Sequence, residues 1–288
     1  MIDQDFVSDM AVEAAQAANL SDLCKLQKLS YGIEQRFLNI KTLDLAKKVG
    51  RERGVYVTYD CPKTIYENER HARALEKYLA QTVTNLVGTQ KKSSPILVVG
   101  LGNADIVADS LGQRAAENIK VTRKNMDVSN FHTQCVCALQ TGVLGTTGMQ
   151  SNEVTSAIVE KIKPCLVILI DALATSCVSR VGTSFQISTA GITPGSGVGQ
   201  DKERIDKSTL GVPVLAIGVP LMLSMRTALY NFVKDYTETL GCKNNEFMLR
   251  EELIKKNLSN LVVTPKDIDV LAQGAGLMIA NAINSALN

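Results

Sequence analysis

The sequence predicts an α/β fold of three layers, with a mostly parallel central sheet between two layers of helices. Three observations carry this. Short, continuous apolar runs recur at 96–99, 135–139, 166–170 and 214–217, the form taken by strands buried on both faces. Helical patterns separate them, at about 107–118, 151–163 and 172–179, and strands alternating with helices build parallel sheets covered on both sides. The composition agrees: the chain is 45% hydrophobic and only 5% aromatic, with no Trp. That apolar content is mainly Val, Ile, Leu and Ala, which suits buried strands under helices.

The elements follow in chain order. Residues 1–20 are acidic and Ala-rich, and 21–29 read as helical. Residues 55–59 form a strand pattern that ends at the turn-like Asp60, Cys61 and Pro62. From 67 to 87, Leu75, Tyr78, Leu79, Val83 and Leu86 recur at helical spacing. The polar stretch 91–95 leads into the first apolar run. A further strand pattern spans 185–188, and 193–208 reads as a long surface loop with a short helix. A last helix is predicted from Thr264 as cap, with Pro265 at its first position and Asp267 at its positive end. There is no internal repeat and no low-complexity tract.

Charge and cysteine usage narrow the function classes. A net charge of +2 over 288 residues, without a dense Lys/Arg run, argues against a nucleic-acid binder. The seven cysteines, Cys24, Cys61, Cys135, Cys137, Cys165, Cys177 and Cys242, are odd in number and irregularly spaced. They read as reduced thiols of a cytoplasmic protein. Cys135 and Cys137 share a strand face, but no second Cys/His pair completes a metal site, so they read as small core residues. The start of the chain lacks the charged-then-apolar order of a secretion signal. The longest apolar stretches read as too short or too broken by Gly and Pro to span a bilayer.

In open α/β sheets ligands meet the carboxyl ends of the strands, and three such ends are conspicuous. After the first run come Gly100, Leu101, Gly102 and Asn103, followed by Asp105 and Asp109; Asp171 follows the run 166–170; and 191–199 after the strand 185–188 is Gly-rich. Gly100 and Gly102 open a dinucleotide pattern, but its third glycine position holds Asp105, whose charge would face phosphate. The loop 191–199 lacks the Lys and Ser/Thr of a phosphate-binding loop. Its glycines serve either backbone freedom near a cleft or a surface for an extended peptide. His71 and His132 are the only histidines, and neither follows a strand end with a nucleophile beside it.

Carboxylates remain. Asp171 closes an apolar run, where a charge is costly without partners; it reads either as a helix cap or as a functional acid. Two carboxylates of different pKa can hydrolyse a peptide: one activates water while the other protonates the leaving nitrogen. Asp109, at a second strand end, is the candidate partner, and Asp105 is its rival.

These same segments resemble the germination protease family of bacterial spores over nearly the whole chain. The resemblance rests on Gly100-Leu101-Gly102-Asn103 with Asp109, Leu111 and Gly112, on 143–148, on Ile170-Asp171-Ala172-Leu173-Ala174, on 192–199, on 210–220 and on 263–269, in family order. It implies an endopeptidase acting on small acid-soluble spore proteins, with Asp109 and Asp171 as catalytic aspartates and no metal or cofactor. Active-site loops would then include Gly100, Gly102, Asn103, Thr146, Thr147, Gly195, Ser196 and Gly197. The implied fold is shared with hydrogenase-maturation peptidases, and the implied assembly is a tetramer in the spore core, without nucleic acid or membrane as partner. Family members are zymogens that trim their own N-terminus. The run Asp9-Met10-Ala11-Val12-Glu13-Ala14 resembles the processing region, so residues 1–9 are a candidate propeptide cut between Asp9 and Met10, and 10–288 a single domain. Two alternatives stand beside this: a metal-dependent maturation peptidase using one of these carboxylates with His71 or His132, and a non-enzymatic binding protein on the same fold.

Overall fold

The computed structural model describes residues 8–88, 94–125, 134–194, 203–225 and 261–287, together with Ala228, Leu229, Phe232 and Tyr236. The helices are α1 (Ala11–Ala17), α2 (Leu43–Val49), α3 (Glu69–Val87), α4 (Leu111–Glu117), α5 (Leu144–Thr147), α6 (Ser151–Ile162), α7 (Lys207–Leu210) and α8 (Ile268–Leu287). The strands are β1 (Lys25–Lys28), β2 (Glu34–Ile40), β3 (Gly54–Asp60), β4 (Ile96–Gly100), β5 (Val136–Gln140), β6 (Leu166–Thr175), β7 (Ser184–Ser188), β8 (Val214–Ser224) and β9 (Val262–Val263). Among the described residues they form one sheet in the order β1-β2-β3-β7-β8-β6-β4-β5, with β9 beside β8.

The predicted α/β class and its three layers are present. The sheet is mixed: β8, β6, β4 and β5 are parallel neighbours, while β1, β2, β3, β7 and β8 pair antiparallel. Alternation along the buried strands divides the core. Ile168, Ile170, Ile217 and Phe185 point to one face, under α3, α4 and α8. Val167, Leu169 and Ala216 point to the other, under α6 and α7. On that second face α1 and α2 cover β2 and β3 separately, through Ala11, Ala15, Leu38, Val49 and Tyr56. The second layer is therefore in two pieces, and a cleft lies between them.

Several expectations change. Residues 21–29 are a short 3-10 turn, Ser21–Leu23, followed by β1, whose backbone is claimed by pairing with β2. The helix expected at 172–179 is absent, because β6 stays paired with β8 as far as Thr175. β8 likewise runs on to Ser224. The last helix begins at Ile268, with the Asp267 carbonyl accepting from the Leu271 N–H, so Thr264 and Pro265 lie before it. Among the described residues α8 is the one helix long and apolar enough to cross a membrane, against the expectation that no stretch would qualify. Its Leu271, Ala275, Met278, Ile279 and Ile283 sit in the core against α3, α4 and the sheet.

The segment from Ser8 through α1 is built into the fold. Glu13 of α1, with a side chain 2% exposed, accepts from Ser8 Oγ, Thr175 Oγ1, and both the N–H and Oγ of Ser176, and pairs with Arg180 at 3.0 Å. Arg180 also reaches Asp60 at 3.4 Å, and Asp60 pairs with Arg36. Burial pushes the Glu13 carboxyl up, but the bonds from Ser176, Thr175 and Ser8 outweigh it and hold the group below its ordinary 4.5. The Arg180 guanidinium, disfavoured by burial, is held charged by Asp60 and Glu13.

This packing makes two outcomes testable. Glu13→Gln should lower stability at pH 7 by about 2 kcal/mol or more, since it removes a charged acceptor of several bonds. A depressed folded-state pKa stabilises fully above the unfolded value and loses its effect as pH falls through the folded value. The gap between the two proteins, read by urea unfolding, should therefore close below pH 4.5; a gap that widens in acid would contradict the assignment. Separately, a Cβ on Gly112 would lie 2.2 Å from the Ile170 carbonyl oxygen and 2.5 Å from the Leu101 nitrogen. Both obstacles are backbone, so Gly112→Ala should cost at least about 2 kcal/mol, and an unchanged thermal midpoint would show that α4 does not rest on the strand ends.

Candidate active site

The parallel strands end at a common row. Gln140 of β5, Gly100 of β4 and Ile170 of β6 are in register, and the Leu101 N–H donates to the Ile170 carbonyl at 2.9 Å. β4 and β5 stop there, whereas β6 continues. Asp171 is the first residue past the row, 4% exposed, and paired in register with Gly218 of β8. The apolar run predicts Asp171 at the end of its strand; it lies inside it, because β8 extends the pairing. With no helix following, the cap reading fails. Alternation from Val167 and Leu169 turns its side chain toward the face that carries the cleft, and its Oδ1 accepts from the Ala172 N–H at 3.0 Å.

Asp109 ends a 3-10 turn, Val107–Asp109, that packs against β6 and β8. The loop before it closes on its carboxylate: the Asn103 N–H donates to Asp109 Oδ2 at 2.9 Å, the Asp109 N–H to the Ile106 carbonyl at 2.8 Å, and Gln113 Nε2 to the Gly102 carbonyl at 2.9 Å. Gly102 has φ +92°, and a Cβ there would lie 2.0 Å from the Asp109 carbonyl oxygen, so this turn requires glycine. Gly100 meets Gly112 just as closely: a Cβ on Gly100 would lie 2.1 Å from the Gly112 carbonyl oxygen. These contacts seat the Asp109 turn at the end of β4, beside Ile170, the residue before Asp171. Asp105 is exposed, its N–H turned onto Asn103 Oδ1, which separates it from its half-buried rival.

Thr146 and Thr147 lie in α5, beyond the end of β5. Both are exposed and their hydroxyls bond the Val143 carbonyl, capping their own short helix. Gly195, Ser196 and Gly197 lie outside the described residues, as does His132. His71, in α3, bonds Thr64 and packs on Tyr31, on the layer opposite the cleft. Among the described residues no group of three or more His, Cys, Asp or Glu could hold a metal.

Asp9 and Met10 are not a loose tail. The Asp9 N–H donates to the Ala174 carbonyl at 2.9 Å, and the Ala174 N–H donates to Asp9 Oδ2 at 2.8 Å. Asp9 thus occupies the edge of β6 that β4 has left. Met10 is fully buried among Val12, Leu173 and Ile192. Gln186 of β7, missed in the sequence, donates Nε2 to the Asp9 carbonyl at 3.2 Å and accepts from the Ala11 N–H at 2.8 Å. Its signal is present in Ser184-Phe185-Gln186-Ile187-Ser188, where polar residues alternate onto one covered face. Asp9, Leu173, Gln186, Ile192 and Gly218 line the cleft, whose volume is about 730 Å³, with Arg51 and Arg204 among its other walls.

A sequence model of the germination protease family matches residues 4–246. The chain is similar to the germination protease of Caldanaerobacter subterraneus, 35% identical over 97% of this chain and 93% of that one. It is 34% identical to the Clostridium acetobutylicum germination protease, over 87% of this chain and 85% of the relative. With the Bacillus velezensis germination protease it shares 30% identity over 98% and 93% of the two chains. With a family match over most of its length and relatives aligned almost end to end, this chain belongs to the germination protease family.

Proposed function

We propose that this chain is an endopeptidase that degrades small acid-soluble spore proteins at germination. It is made as a zymogen that cuts its own Asp9–Met10 bond, and it works in the spore core as a tetramer. Asp109 and Asp171 form its carboxylate pair. One, ionised, takes a proton from water as the oxygen attacks the peptide carbonyl; the other, protonated, gives its proton to the nitrogen as the C–N bond breaks. The products of self-cleavage are a carboxylate on Asp9 and an amine on Met10.

The observation that carries this reading is that the Asp9–Met10 bond is docked on β6, with Asp9 paired to Ala174 three residues beyond Asp171. An extended peptide segment is thus held on the same strand as a buried carboxylate. Family membership supports the peptidase class, and the closed loop around Asp109 supports that residue over Asp105.

Intact-mass analysis of the purified chain before and after mild acidification tests the reading. The unchanged chain should shed residues 1–9, while Asp109→Asn and Asp171→Asn, with native circular dichroism, should do so at least about a thousandfold more slowly. Either variant shortening at the unchanged rate would remove that residue from the mechanism.

A further inference from the structure

Gln186 is not one of the two carboxylates, yet its side chain contacts the chain on both sides of Met10. We infer that Gln186, the Ala174 backbone and the apolar pocket beside Leu173 form the site that holds a peptide across its scissile bond, with Asp9–Ala11 as the occupant in cis. The inference rests on the peptidase reading above and adds the mode of substrate recognition.

The geometry is that of strand pairing. In a parallel sheet one residue accepts from the N–H of residue j+1 and donates to the carbonyl of residue j−1 on the neighbouring strand. The Gln186 amide does this with a side chain: it donates to the Asp9 carbonyl at 3.2 Å and accepts from the Ala11 N–H at 2.8 Å, bracketing Met10. Ala174 holds the residue before the bond through both its N–H and its carbonyl. Both sets of contacts read backbone or a carboxylate, and the one apolar side chain between them, Met10, is lodged against Leu173 and Ile192. This is β-augmentation completed by a side-chain amide.

Position ties the site to the chemistry. Gln186 pairs in register with Gly218, and Gly218 with Asp171, so the three share one row across β7, β8 and β6. Gly218 has no side chain, and Leu173 packs over it, its Cγ 2.6 Å from where a Cβ would be; Asp9, Leu173, Gln186 and Gly218 line one cleft. Gln186 Nε2 bonds the carbonyl that water must attack, so it orients that group and favours the charge that develops on its oxygen. When residues 1–9 depart, Gln186 Nε2 and the Ala174 N–H and carbonyl lose their partners in a buried place, which leaves them ready for another backbone. Gln186, in contact with the carbonyl under attack, is therefore a catalytic residue both for self-cleavage and for substrate in trans.

The test compares the unchanged full chain with Gln186→Ala and Gln186→Glu; the second keeps the acceptor for Ala11 and the side-chain volume but loses the donor. Two rates are read: shedding of residues 1–9 by intact mass, and hydrolysis of an added labelled peptide copying residues 4–14, measured on chains that have already shed their own. Both variants should shed at least about tenfold more slowly and, once shortened, show KM for the peptide raised about tenfold. Gln186→Glu separates substrate binding from anchoring: it keeps the acceptor that holds Ala11, and a shortened chain has no Asp9 left for the donor, so a raised KM in that variant reports the added peptide. Normal shedding with unchanged KM in both variants would overturn this inference alone. Absence of shedding in the unchanged chain would overturn the peptidase reading and this inference together.

Discussion

Buried backbone N–H and carbonyl groups must find hydrogen-bond partners, and in this chain that requirement is concentrated on one edge of β6. The strand is ten residues long and buried throughout, but β4 accompanies it only as far as Ile170. Beyond that row β8 satisfies the other edge, and the edge facing β4 would be open inside the protein. The chain meets the requirement at Ala174 with its own N-terminal segment. The same unequal strand lengths put Asp171 past the end of β4, inside a strand yet beside a loop. Strand extension, N-terminal docking and the placing of a buried carboxylate just past the end of β4 are thus one arrangement.

Close backbone approach completes it. Gly100 against Gly112, Gly112 against Ile170 and Gly102 against Asp109 each leave no room for a Cβ. They lower α4 and the turn before it onto the end of β4 and the middle of β6. A side chain at any of these glycines would lift the Asp109 turn away from the strand that carries Asp171. Further along the sheet, Glu13, Arg180, Asp60 and Arg36 link α1 to β6, β3 and β2 in a chain of partly buried charges. Such pairs do not by themselves stabilise strongly, but removing one member leaves the others unpaired.

Much of this was legible in the sequence because it is written in local patterns. The apolar runs that became β4, β5, β6 and β8, and the spacing of α3 and α6, report burial directly. Asp171 stands out as a charge at the end of a run of Leu, Val and Ile. What local patterns could not supply was pairing between distant segments. Residues 172–175 look as helical as extended, and only β8 alongside keeps them a strand. Lys25–Lys28, exposed at every position, has no core face to announce it. Gln186 and Glu13 gain their roles from contacts with residues more than 160 positions away. Their one-dimensional trace is slight: a polar residue on a covered strand face and a lone acid among alanines.

Those separations also bear on timing. Asp9 finds its partners at Ala174 and Gln186, 165 and 177 residues later in the chain. The segment carrying Asp9 is made well before its partners and is seated only once β6, β7 and β8 have been made and joined. Were the proposed cut to fall between Asp9 and Met10, a bond positioned only by the finished sheet would make that cut a readout of completed folding.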